Sequence, residues 1–250
     1  FITGRYGPQQ RKNAEIAVVV VGENEWRAEG KKGTSGEGYD VASLDLTGRQ
    51  EELVRAVFET GTPAIVVLIN GRPLSIRWIA EKVPAILEAW CCGEKGGEAV
   101  AEILFGEINP SGRLPVTVPR HVGQLPVYYN HRPSKPYWIE EGWGKPYADM
   151  SAKPLYEFGY GLSYTTFEYS DLQIDPPITG AAGSIQVSVA VKNTGKMAGQ
   201  EVVQLYLVDQ LASISPPVKQ LKGFQKIDLK SGETKTVHFT LTPDHLSLLD

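Results

Sequence analysis

This 250-residue sequence has only two cysteines and two methionines, no excess of positive charge and no long hydrophobic run. Lys and Arg number 25 against 29 Asp and Glu, a formal charge of −4, so no basic face is available to meet nucleic-acid phosphate. The longest apolar runs, Ile16–Val21 and Ala64–Ile69, are of strand length and fall far short of the roughly 18 residues of a membrane span. Cys91 and Cys92 are neighbours and close a disulfide only through a strained ring; they read as two reduced, buried thiols and argue against a disulfide scaffold. No Asn-x-Ser/Thr acceptor occurs, and no apolar stretch follows Phe1-Ile-Thr-Gly-Arg5 as a signal peptide requires, which leaves export open. What remains is ordinary globular usage, 42% apolar and 22% charged, with length for one or two domains at roughly 150 residues each.

The first half alternates strand and helix signals. Ala14–Gly22 carries a continuous β-branched run, the pattern of a strand buried on both faces. Thr47-Gly-Arg-Gln50 reads as a capping box that opens a helix over Gly48–Thr60, with Leu53, Val57 and Phe58 on one face and Gly61 as its stop. Ala64–Asn70 and Ala85–Trp90 read as further strands and Gly97–Phe105 as a helix. Such alternation implies right-handed crossovers and a mainly parallel sheet, an α/β domain. From about Tyr164 the helix signals stop. Ser184–Val191, Glu201–Val208 and Thr234–Leu241 alternate between turn signals, as strands of an antiparallel sandwich do. The Pro-, Tyr- and Trp-rich stretch between the halves reads as an ordered connecting segment.

In an open parallel sheet, ligands bind outside the carboxyl ends of the strands. Three loops leave those ends: the segment after Gly22, Asn70–Pro73 and Cys92–Lys95. The first runs to about Asp45, far beyond the usual ~2–6 residues, and holds Glu23, Glu25, Trp26, Glu29, Glu37, Tyr39 and Asp40. Carboxylates beside aromatics suit acid–base work on a sugar, whose oxygens need a proton donor and whose ring faces need flat apolar surface. The opposing reading is a solvated loop whose charges only keep it in water. Other motifs fail. Gly36-Glu-Gly38 begins like a dinucleotide fingerprint but Val41 stands where its third glycine belongs, and no Gly-x-Ser-x-Gly elbow occurs. His121, His131, His238 and His245 are scattered, with no cysteine at metal-ligand spacing, so no metal site is expected. Trp90, at the end of a strand, reads as core rather than platform.

Several blocks carry a family resemblance. Thr62-Pro-Ala-Ile-Val-Val-Leu-Ile-Asn-Gly-Arg-Pro73, Ala85-Ile-Leu-Glu-Ala-Trp90 and Phe105-Gly-Glu-Ile-Asn-Pro-Ser-Gly-Arg-Leu-Pro115 resemble the family 3 glycoside hydrolases of β-glucosidase type. Gln124–Asn130, Pro154–Phe167 and Val218–Phe224 resemble them too, the last in the fibronectin type III-like domain that ends many members. The resemblance implies residues 1–118 as part of an α/β sandwich domain, 119–163 as a connecting segment, and 164–250 as a fibronectin type III-like domain lacking its last strands. The family's N-terminal (β/α)8-type barrel has no counterpart, which marks the chain as a C-terminal part of a longer enzyme, inactive alone.

Members that resemble this chain are retaining exo-acting β-glycosidases that remove terminal β-D-glucosyl residues from oligosaccharides or glucosides. A barrel Asp is their nucleophile and a Glu of the second domain their general acid/base. The resemblance carries that Glu onto Glu37 of Ser35-Gly-Glu-Gly38, since Glu37 stands seven residues before Leu44 of Leu44-Asp-Leu46; Glu29 is the alternative. Trp26 and Tyr39 would stand on the leaving-group side. No metal or organic cofactor is implied, and the partners are the β-linked substrate and the missing barrel. Periplasmic or secreted location follows from the resemblance, with a cytoplasmic one open. β-Xylosidase or mixed β-glucosidase/xylosidase activity is the close alternative. A non-catalytic scaffold or carbohydrate-interaction module is the alternative of another class.

Overall fold

A computed structural model describes residues 14–24, 33–133, 147–180, 182–212 and 214–247. The described chain divides into two compact units, and the division falls within a helix. The first unit holds the residues up to Ala101 with Thr117–Val127 and Ser151–Tyr156; the second holds the remainder.

The first unit is built on a parallel sheet in the order β1 (Ala17–Gly22), β2 (Ala64–Ile69), β3 (Ala85–Glu88). Helix α1 (Gln50–Phe58) crosses from β1 to β2, and α2 (Arg77–Lys82), which carries no cap or period strong enough to be read from sequence, crosses from β2 to β3. One sheet face packs a core of Val19, Val21, Val66 and Leu68 against Val54, Val57, Ile76 and Ile79. Helix α3 (Gly96–Leu104) follows β3 and buries none of its side chains.

Three expectations need correction here. Strand β1 is buried on one face only: Ile16, Val18 and Val20, with Ile69 of β2, stay exposed on the other. Parallel sheets are normally covered on both faces, so this is an apolar surface that the described residues leave bare. In α1, Val54 rather than Leu53 faces the core, a rotation of one residue that Leu53 shows by its exposure. The capping box is also recast. Gln50 reaches Thr47, but its amide is committed to Gly22, accepting the Gly22 N–H at 2.8 Å and donating to the Gly22 carbonyl at 2.8 Å. It therefore ties the start of the helix to the end of β1. Gly22 itself has φ +144, and a Cβ there would lie 1.9 Å from the Ile69 carbonyl oxygen, so only glycine fits this strand end.

In the second unit β4 (Phe167–Asp175), β5 (Ile185–Asn193) and β8 (Thr234–Leu241) form one antiparallel sheet, and β6 (Gly199–Leu207) with β7 (Gln220–Leu229) another. Val191, Val203, Leu229 and Val237 are its core. Asn193, fully buried, saturates its side chain: it accepts from Thr165 and Gly195 and donates to the Met197 and Leu229 carbonyls. Arg113 pairs with Glu201 at 2.5 Å, and the Tyr169 hydroxyl donates to the same carboxylate at 2.8 Å. Burial, then that carboxylate, pushes the Tyr169 hydroxyl well above the ordinary phenol range. The α/β unit followed by an all-β unit is the fold class expected. No described helix is long and apolar enough to cross a membrane.

Candidate active site

The parallel order of β1, β2 and β3 places all three carboxyl ends on one edge of the sheet, and their loops meet there. Ser35, of the loop after β1, is buried beside Gly71, of the loop after β2: a Cβ on Gly71 would sit 3.2 Å from Ser35 Oγ. The same point lies 3.8 Å from Cys91 Sγ, of the loop after β3. Sequence proximity brings none of these together; the sheet does.

Glu37 sits at the apex of a tight turn. The Tyr39 N–H donates to the Gly36 carbonyl at 3.1 Å, and Gly38 has φ +75, the left-handed value that the third residue of a type II turn requires. Glu37 is exposed. The turn is pinned at both ends. On one side Asn24 and Thr34 exchange two bonds, Thr34 N–H to the Asn24 carbonyl and Asn24 N–H to Thr34 Oγ1, each 2.8 Å. On the other, a guanidinium nitrogen of Arg72 donates to the Tyr39 carbonyl at 2.9 Å. Nothing lies within 4 Å of a Cβ built on Gly38, so Gly38→Ala meets a backbone penalty and no clash. We expect it to loosen the turn by about 1 kcal/mol and to speed exchange of the Tyr39 amide about fivefold, read by hydrogen exchange.

Beneath the turn lie polar residues that sequence reading passed over. The Glu23 carboxylate, its side chain only 4% exposed, pairs with Arg72 Nε at 3.0 Å and accepts the Gly71 N–H at 3.2 Å. Asn70, 1% exposed, donates to the Arg72 carbonyl at 2.9 Å and to Glu88 at 3.4 Å, while its own side-chain oxygen is buried with no hydrogen-bond partner. Glu88 ends β3 and accepts the Trp90 N–H at 3.1 Å. Its carboxyl is pushed up to about 7, because burial outweighs the hydrogen bonds from Trp90 and Asn70 that favour the anion. Trp90 has φ +52, an outlier for a bulky residue, and the bond to Glu88 holds it there. Its side chain is half-buried, an intermediate setting rather than the core position expected. One signal for Glu88 was present: it is the one charged residue in the apolar strand segment Ala85–Trp90.

Of the expected site residues, Glu37 and Tyr39 share this turn, while Trp26 and Glu29 lie outside the described residues. Cys91 and Cys92 correct the expectation of buried thiols: neither forms a disulfide and both are exposed, because β3 ends at Glu88 and they fall in the loop beyond it. Among the described residues no group of three or more His, Cys, Asp or Glu is placed to hold a metal ion. Chemically, the edge offers one turn-borne carboxyl, Glu37, above a largely buried ion pair and the half-buried Glu88 carboxyl, each tied to backbone.

Residues 6–164 match the model of the glycosyl hydrolase family 3 C-terminal domain, and residues 201–250 that of a fibronectin type III-like domain. A β-xylosidase of Formosa agariphila is 50% identical over 96% of the chain, and a periplasmic β-glucosidase of Salmonella typhimurium 46% over 93%. The chain spans about a third of the length of these curated relatives: 32% and 30% respectively. Among solved structures, a β-glucosidase from Erythrobacter marinus superposes with a TM-score of 0.85 at 42% identity, covering 97% of this chain and 31% of that one. A Listeria innocua β-glucosidase in complex with glucose gives 0.84 at 39% identity, covering 95% and 32%.

Proposed function

This chain belongs to glycoside hydrolase family 3, and from that premise we propose that it is the C-terminal part of a retaining exo-acting β-glycosidase to which it supplies the general acid/base, Glu37. The observation that carries the reading is the pinned, solvent-facing Gly36–Tyr39 turn at the carboxyl edge of the parallel sheet. In the first step Glu37 protonates the leaving glycosidic oxygen while a carboxylate of a preceding barrel domain bonds to the anomeric carbon. In the second, Glu37 takes a proton from water as that water displaces the enzyme carboxylate. Retention asks for the two carboxyls about 5–5.5 Å apart. We assign Tyr39 and Trp26, both in the segment between Gly22 and Asp45, to the leaving-group side.

In domain terms, residues 1–118 are part of the α/β sandwich, 119–163 a connecting segment and 164–250 the fibronectin type III-like domain. That the chain spans about a third of the length of its relatives supports a longer polypeptide. The substrate is a terminal β-D-glucoside; the 50% identity to a β-xylosidase favours β-xylosides as the second reading. The periplasmic name of one relative supports a location outside the cytoplasm.

The test is hydrolysis of aryl β-glucoside and aryl β-xyloside by the purified chain, of intact mass 27.4 kDa, and by the longer polypeptide that carries it. The chain alone is expected to be silent and the longer polypeptide active. Turnover by the chain alone overturns the assignment, because it requires a second carboxylate within these 250 residues to act as nucleophile.

A further inference from the structure

We propose that Arg72, locked by Glu23, is the positioning residue that sets where Glu37 delivers its proton. This rests on the reading of Glu37 as the general acid/base. Glu23 is the first residue beyond β1, and its backbone is already fixed by donating to the Ile69 carbonyl at 2.8 Å. Its carboxylate is almost wholly removed from water and takes both the Arg72 Nε and the Gly71 N–H. Burying an ion pair costs desolvation that its attraction scarcely repays, so stability alone is a poor reason for one here.

What the pair provides is geometry. A guanidinium is a rigid fork with donors in fixed directions. One direction of Arg72 meets Glu23 at 3.0 Å, and another meets the Tyr39 carbonyl at 2.9 Å. Asn70 holds the Arg72 backbone by its carbonyl. Tyr39 in turn closes the Glu37 turn onto Gly36. The connection from strand β1 to the Glu37 turn is therefore two hydrogen-bonded steps long, and the Asn24–Thr34 exchange fixes the opposite end. With both flanks held, the backbone that carries Glu37 keeps little freedom. A proton donor misplaced by about 1 Å loses on the order of 100-fold in rate, so this anchoring bears directly on the chemistry.

The decisive variant is Arg72→Lys. It keeps a positive charge beside buried Glu23 but replaces the rigid fork by one ammonium on a flexible stem, so the fixed bracing between Glu23 and the Tyr39 carbonyl is lost. In the purified chain we expect exchange of the Tyr39 amide to speed up. In the longer enzyme, kcat/KM on a methyl β-glycoside, whose leaving group needs protonation, is expected to fall about 10- to 100-fold. On a 2,4-dinitrophenyl β-glycoside, whose leaving group does not, the fall is far smaller. Glu23→Gln, which removes the charge and keeps the shape, is expected to move both readouts in the same direction.

Equal losses on the two substrates mean a merely structural role and overturn the proposal, as does unchanged exchange at Tyr39. A Glu37→Gln enzyme measured alongside separates the two failures. If it shows the leaving-group split and the Arg72 variant does not, the anchoring is wrong and the acid/base reading stands. If neither shows it, the acid/base reading fails and the proposal with it.

Discussion

Replacing Glu37 by Gln in the longer enzyme is expected to lower kcat/KM on alkyl β-glycosides by about 10²- to 10⁴-fold, the usual worth of a positioned proton donor. The amide matches the carboxyl in size and leaves untouched the backbone bonds of the turn, Tyr39 N–H to the Gly36 carbonyl and Arg72 to the Tyr39 carbonyl. The loss therefore reads proton transfer and not folding. Two features make the result specific. On a dinitrophenyl glycoside, kcat/KM falls much less, because the leaving group departs as a stable anion. The second step still lacks its base, so kcat falls and the glycosyl-enzyme accumulates. Azide, a nucleophile that needs no base, then restores kcat and yields a glycosyl azide of retained β configuration. If all substrates lose activity equally and azide restores nothing, Glu37 is not the acid/base. The same measurements on a Glu29→Gln enzyme test the alternative carboxylate.

The parts of this fold that were legible are those where one residue type decides one outcome. Val18–Val21 and Ala64–Ile69 each announce a strand, and each is one. Burial was less legible, because it depends on what lies opposite. Val18 and Val20 are as β-branched as Val19 and Val21, yet only one set meets a covering layer. The cysteines show the same limit at an element end: one strand boundary, at Glu88 rather than Trp90, decides whether their thiols are packed or open. Hardest to read is the polar layer under the turn. Glu23 meets Arg72 only because β1 and β2 run parallel in a register that sets Gly22 opposite Ile69. No periodicity in either segment encodes that register. What does encode it is local and easily missed: Gly22, whose absent side chain leaves room for the Ile69 carbonyl.

Glu88 makes stability fall as pH rises through neutrality, and the expected loss is about 3 kcal/mol. The sign follows from proton binding. With its pKa raised from 4.5 to about 7, the folded chain keeps a proton on Glu88 that the unfolded chain has already lost between those values. Each step up in pH across that window favours the unfolded state. The contribution of neutral Glu88 is complete below about pH 4.5, shrinks from there, and is gone once pH passes well above 7. Burial causes the shift, and the Trp90 N–H and Asn70 amide oppose it by favouring the anion. The measurement is a difference, so that only Glu88 is read: urea unfolding of the chain and of Glu88→Gln at pH 5, 6, 7 and 8. Gln keeps a carbonyl for the Trp90 N–H and carries no charge at any pH. The two are expected to lie closest at pH 5 and to separate steadily, with Glu88→Gln the more stable at pH 8. Parallel curves would mean that Glu88 ionises in the folded chain as it does in the unfolded one. The strained Trp90 backbone ties this titration to the site: above neutrality the Glu88 anion strengthens its hold on the Trp90 N–H while costing the fold. The edge of the sheet therefore gains most from Glu88 on the acid side of neutrality, where its carboxyl is neutral.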